Sequence, residues 1–211
     1  MKQQKTIYQL IVDKSGSMFD CIDNTISGFN DQVAKIKSME REFPDQRFTM
    51  GLTTFNNEVV QQISQAAPSS IKPLTYQTYN PDGTTALLDA IGITVTKLEG
   101  EIHTNSTIEA ATVVVVILTD GYENASKMFS LADIRSMISR LEETGKWTFS
   151  FIGATLDAMD VAEKMSIKRN NSYSFDKSQM NSEVWDKLSN SMAMYVNKKI
   201  SGKNLGNLFE E

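Results

Sequence analysis

Three short segments, far apart in the chain, gather oxygen-bearing side chains: Asp13-Lys14-Ser15-Gly16-Ser17, Gly83-Thr84-Thr85 and Thr119-Asp120-Gly121. The first and third follow Ile7–Val12 and Val113–Leu118, which read as buried strands of a parallel sheet. In an open α/β sheet, ligands sit just beyond the carboxyl ends of the strands. Two carboxylates, Asp13 and Asp120, together with the hydroxyls of Ser15, Ser17 and one of Thr84 and Thr85, form a hard-cation donor set. Mg²⁺ is the expected cation, and Mn²⁺ or Ca²⁺ has the same preference for oxygen. Neutral hydroxyls cancel none of the metal's charge. A cation held largely by hydroxyls therefore keeps an appetite for one more anionic oxygen, such as a carboxylate of another molecule.

The same residues fit catalysis less well. A Mg²⁺-dependent phosphohydrolase of the haloacid-dehalogenase type is the main alternative, because it also puts an aspartate after the first strand. That chemistry wants a second acid two residues on, and here the position is Ser15. A serine hydrolase needs a base, but the one histidine, His103, lies at the expected end of a helix, where it suits the helix dipole. Neither Gly-x-Gly-x-x-Gly nor a phosphate-binding loop is present. A non-enzymatic role is expected.

The elements that must position these groups alternate along the chain. Strands are expected at Thr6–Val12, Arg47–Phe55, Glu58–Ile63, Val113–Leu118, Trp147–Ile152 and Ser172–Phe175. Apolar residues three and four apart predict helices over Asp23–Met39, from Leu87 to about Ile102, and over Leu131–Glu143, Asp157–Met165 and Ser182–Ile200. Asn56-Asn57 has hairpin-turn chemistry, which makes the third strand antiparallel to the second. Ala66–Pro81, with three prolines, reads as a loop. Gly16 is expected to let the chain turn as the first strand ends. The pattern is an α/β fold: a doubly wound, mostly parallel sheet with one antiparallel edge strand and helices on both faces. One domain is expected over residues 1–200, and a flexible tail over 201–211.

With 211 residues, 40% of them hydrophobic, the chain is long enough for one well-buried core. Its net charge of −5 argues against a nucleic-acid or anionic-membrane surface. A single cysteine, Cys21, leaves no intrachain disulfide framework and, beside a single histidine, no Cys/His zinc site. No stretch is apolar enough to span a bilayer, and the first residues lead into a strand rather than a signal core. A cytoplasmic location is the expectation. The Asn-x-Ser/Thr triplets at Asn105, Asn124 and Asn170 are then chance occurrences. Asp89 reads as a structural contact or a surface charge.

Taken together, the segments resemble the von Willebrand factor A domain and its metal-ion-dependent adhesion site. The family pattern is Asp-x-Ser-x-Ser after the first strand, a threonine in a later loop and an aspartate after the central strand. Asp13, Ser15, Ser17, Thr84 and Asp120 match it in order. Thr84 is preferred over Thr85 because it follows Gly83 directly, as the family's threonine commonly follows a glycine. The resemblance spans about residues 6–200. It implies a Rossmann-like sheet, a divalent cation at the rim with Ser15, Ser17 and Thr84 as direct ligands, and Asp13 and Asp120 acting directly or through water. It also implies a partner protein with an exposed acidic residue and, from intracellular relatives, one belonging to an ATPase-containing assembly. In some members the last helix shifts on binding.

Overall fold

The computed structural model describes residues 4–104, 111–154, 157–175, 182–201 and 207–209. Asn105 and most of the expected tail lie outside them. Six strands, β1 (Gln4–Asp13), β2 (Gln46–Phe55), β3 (Val59–Ala66), β4 (Thr112–Thr119), β5 (Trp147–Gly153) and β6 (Ser172–Ser174), form one sheet in the order β3-β2-β1-β4-β5-β6. All pairings are parallel except β2–β3, which is antiparallel across the Asn56–Glu58 turn. Every residue of β4 is buried, as its run of β-branched side chains requires when both sheet faces are covered.

Alternation along β1 and β4 sorts the core into two layers. Tyr8, Leu10, Val12, Val114, Val116 and Leu118 face α1 (Ile22–Glu42) and the last helix, Ser182–Ile200. Ile7, Ile11, Val113, Val115 and Ile117 face α2 (Leu87–Thr104), α3 (Leu131–Glu143) and α4 (Ala158–Lys164). The last helix, α5, lies so close to α1 that a Cβ on Gly28 would stand 2.1 Å from Trp185 Nε1. Buried Gln32 joins the two helices to the sheet. Its amide donates to Trp185 O (2.9 Å) and Ser189 Oγ (2.6 Å), and its Oε1 accepts from the Tyr8 hydroxyl (3.2 Å). Each such buried polar group, if orphaned, costs about 1–3 kcal/mol.

Helix α1 is preceded by a short 3-10 helix, Gly16–Cys21, where the sequence suggested only a turn. Within the expected tail, Leu208 and Phe209 are buried in the α1/α5 layer, and their amides donate to Asn171 Oδ1 and Asn170 O. Among the described residues, no helix is long and apolar enough to cross a membrane.

The order of the strands decides where a ligand belongs. From β1 the chain crosses to β2 on one side, and β4 lies on the other. The strand order reverses between β1 and β4, so the crevice opens beyond their adjacent carboxyl ends. The last residue of β1 is Asp13, and Asp120 directly follows β4.

Candidate metal centre

Parallel register aligns Val12 with Leu118, so Asp13 and Thr119 emerge side by side. Asp13 is fully buried. Its Oδ1 accepts from the Ser15 amide (2.6 Å), and its Oδ2 from the Thr119 hydroxyl (2.5 Å). Ser15 is extended (φ −65°, ψ 164°), and its Oγ lies 3.1 Å from Ser17 Oγ on the first turn of the 3-10 helix. The Ser17 hydroxyl donates to Asp120 Oδ1 at 2.6 Å. Hydrogen bonds thus link Ser15, Ser17 and Asp120 through their side-chain oxygens, and Asp13 through the Ser15 amide, around the crevice. Burial pushes the Asp13 carboxyl up to about 6 against the pull of its hydroxyl and amide donors, and the charge of Asp120 adds to the rise.

Gly121 forms the floor. A Cβ there would stand 3.0 Å from Thr85 Oγ1, 3.5 Å from Ser17 Oγ and 3.6 Å from Asp13 Oδ2. Oxygens from three separate segments therefore converge on one small space that a side chain would fill. The threonine that reaches it is Thr85, which is buried, whereas Thr84 is exposed. The loop geometry explains the choice. Gly83 has φ +74°, the left-handed region that suits glycine, and its turn leaves Thr84 outside and Thr85 inside. Gly16, at the turn after β1, is not in the left-handed region, and a Cβ on it would make only an ordinary 3.5 Å contact with Gly83 O.

Several positioning residues escaped the sequence reading. Asn124 clamps Thr85 from both sides, accepting from its amide through Oδ1 (2.9 Å) and donating its own amide to Thr85 O (3.0 Å). Tyr79 is buried and donates its hydroxyl to Asp13 O (2.6 Å). The segment after β4 also caps α2. Glu123 accepts from Leu88 N and Ser126 Oγ accepts from Asp89 N, while the Asp89 carboxylate accepts the amides of Lys127, Met128 and Phe129. Burial alone would push the Asp89 carboxyl up, but these backbone donors outweigh it and hold it below the usual range. Asp89 is therefore the structural contact that was one of its two expected roles. A threonine loop and an aspartate loop tied together this way hold their oxygens in register. The signal was faint: acidic and amide residues just after a strand, with partners some forty positions away.

The donor set passes a chemical test for a hard cation. Among the described residues, no three His, Cys, Asp or Glu side chains gather into a metal-holding group. A cation here would rest on two carboxylates supplemented by hydroxyls, which suits Mg²⁺, Mn²⁺ or Ca²⁺ and not a soft metal. His103 is remote from this chemistry: it is exposed in the last turn of α2, 3.9 Å from Glu99.

Residues 9–190 match the von Willebrand factor type A domain. The chain belongs to that family. Solved structures bear out the architecture. The von Willebrand domain of the type V pilus tip protein Mfa5 from Porphyromonas gingivalis superposes with a TM-score of 0.64 at 9% identity, over 91% of this chain and 96% of that one. Proximal thread matrix protein 1 of the mussel byssus gives 0.58 at 16% identity, over 88% of this chain. This chain spans only 45% of that thread protein's length. Manganese-loaded TRAP protein of Plasmodium vivax gives 0.54 at 18% identity, over 84% of this chain and 70% of that one. At such identities the likeness speaks for the fold alone. No protein among those with curated descriptions matches the sequence. Von Willebrand A domains are commonly adhesion and protein-interaction modules and are typically non-enzymatic.

Proposed function

We propose that this chain is a metal-dependent protein-binding module whose rim site holds Mg²⁺ and takes an acidic residue from a partner protein. The observation that carries the reading is the convergence of Asp13, Ser17 and Thr85 oxygens over Gly121, with Ser15 and Asp120 hydrogen-bonded into the same cluster. The metal-holding residues are Ser15, Ser17 and Thr85 through hydroxyls and Asp13 and Asp120 through carboxylates. Thr85 replaces Thr84 in that role. When bound, Mg²⁺ supplies an electrophilic position that a partner carboxylate can fill.

The protein's own part is preorganisation. Thr119 orients Asp13, Asn124 holds Thr85, and Tyr79 fixes the backbone at Asp13. Such supporting contacts typically govern metal affinity by about 10–100-fold. The haloacid-dehalogenase alternative gains no support from the site, since Ser15 stands where its second acid is needed and is engaged with Ser17. An ATPase-containing assembly in the cytoplasm remains the partner class favoured by the resemblance.

Affinity capture from lysate, in Mg²⁺ and again in EDTA with Asp13→Ala as control, tests the proposal. A protein retained only by wild type in Mg²⁺ supports it. Retention that ignores EDTA places the binding surface elsewhere.

A further inference from the structure

The surface around the oxygen centre is specialised. Among the described residues, three aromatic rings are strongly exposed, Phe19 (65%), Tyr76 (57%) and Tyr122 (57%), and all three belong to segments that build or support this site. Phe19 lies two residues beyond Ser17, and Tyr122 two beyond Asp120. Tyr76 belongs to the loop whose Tyr79 holds Asp13, and its hydroxyl bonds to Asp23 in the first turn of α1. Interaction with the Asp157 carboxylate pushes the Tyr122 hydroxyl's pKa up. Asp157 is the N-cap residue of α4 but makes no capping bond with its side chain. Tyr76 is thus oriented before any partner arrives, which lowers the entropy lost on docking.

Charge narrows the choice of partner. The segments building this rim carry Asp20, Asp23, Asp82, Glu123 and Asp157 in addition to the two aspartates of the centre, against Lys14 and Lys127. A run of acidic residues approaching this surface would meet repulsion from all sides of the cation. One carboxylate set among apolar and basic side chains would not. An arginine or lysine near it could stack on Tyr76 or Tyr122 and reach the Asp23 or Asp157 carboxylate behind the ring.

We infer that the partner segment carries a single acidic residue flanked by bulky apolar and basic residues, which pack on Phe19, Tyr76 and Tyr122. The inference rests on the metal-dependent reading above.

The test is selection of a displayed library of random dodecapeptides on the immobilised full chain in Mg²⁺, with EDTA as eluant. The expected EDTA-released pool is rich in peptides bearing one Asp or Glu beside aromatic or aliphatic residues and Arg or Lys. The double variant Phe19→Ser/Tyr122→Ser should recover at least about tenfold fewer of them, with Mn²⁺ affinity unchanged as the check on folding. A pool dominated by acidic tracts, or undiminished recovery by the variant, overturns the inference and leaves the metal-dependent reading standing. A library that releases nothing on EDTA overturns that reading itself, and this inference with it.

Discussion

Replacing Asp13 with asparagine should make the metal-free protein more stable while removing its capacity for metal. Burial raises the Asp13 carboxyl from 3.8 to about 6. At about 1.4 kcal/mol per unit, keeping it ionised in the folded protein costs about 3 kcal/mol at neutral pH. Asparagine removes that cost and leaves the hydrogen bonds satisfiable. Its Oδ1 can still accept from the Ser15 amide. Its NH₂ can donate to Thr119 Oγ1, whose own proton can turn to Gly121 O, 3.3 Å away. A gain of about 1–3 kcal/mol corresponds to a rise of roughly 2–10 °C in Tm for a domain of this size. The sign with pH follows from linkage. Because the folded pKa lies above the unfolded one, the wild-type cost is complete above about pH 6 and fades as pH falls towards 3.8. The Tm advantage of Asp13→Asn in EDTA should therefore be large at pH 7.5 and nearly gone at pH 4. In Mg²⁺ the order should reverse, since only wild type gains from binding. Thermal melts of both proteins across that range measure it. An asparagine variant that melts below wild type in EDTA at pH 7.5, or a difference indifferent to pH, would refute the reasoning.

Other expectations follow from the same geometry. Thr85→Val should weaken Mn²⁺ binding at least about tenfold while Thr84→Val leaves it unchanged, as read by calorimetric titration. Thr119→Ala should lower metal affinity by about 10–100-fold although Thr119 is not itself assigned as a ligand. Asp89→Ala should cost about 2–3 kcal/mol at pH 7 in denaturant melts, because it strips three backbone amides of a charged acceptor. Since the Asp89 pKa is lowered, that contribution is present above the ordinary value of 3.8 and disappears as pH falls below it. Gly28→Ala should destabilise by about 1–2 kcal/mol despite alanine's better helix propensity. A Cβ at that position meets the Trp185 ring, and overpacking of about 1–3 kcal/mol outweighs a propensity gain of about 0.5–1.

The parts of this fold legible in the sequence are those set by local periodicity. Leu131–Glu143 and Ser182–Ile200 have the bounds expected from their apolar spacing, and Val113–Leu118 forms the centre of β4. The antiparallel β3 was legible from Asn56-Asn57, because a hairpin is decided by neighbours in the chain. Four of the oxygen residues, Asp13, Ser15, Ser17 and Asp120, come together in one hydrogen-bonded cluster because strand ends deliver them there. The threonine was not decidable from spacing. Thr84 and Thr85 are chemically identical neighbours, and the left-handed turn at Gly83, where an added Cβ would collide with Asn57 Oδ1, leaves only one of them facing inward. Asn124 and Glu123 were hidden for a different reason, as were the partners of Asp89, which was legible only as a structural contact or a surface charge. Their roles depend on a loop and a helix start that meet only after the sheet has formed.

The most direct test of the central claim is an Mn²⁺ titration of the purified chain by electron paramagnetic resonance, with Asp120→Ala beside wild type. The account predicts one tightly bound Mn²⁺ per wild-type chain, displaced by excess Mg²⁺ and lost in the variant. No bound Mn²⁺ in wild type, or equal binding by Asp120→Ala, would contradict it.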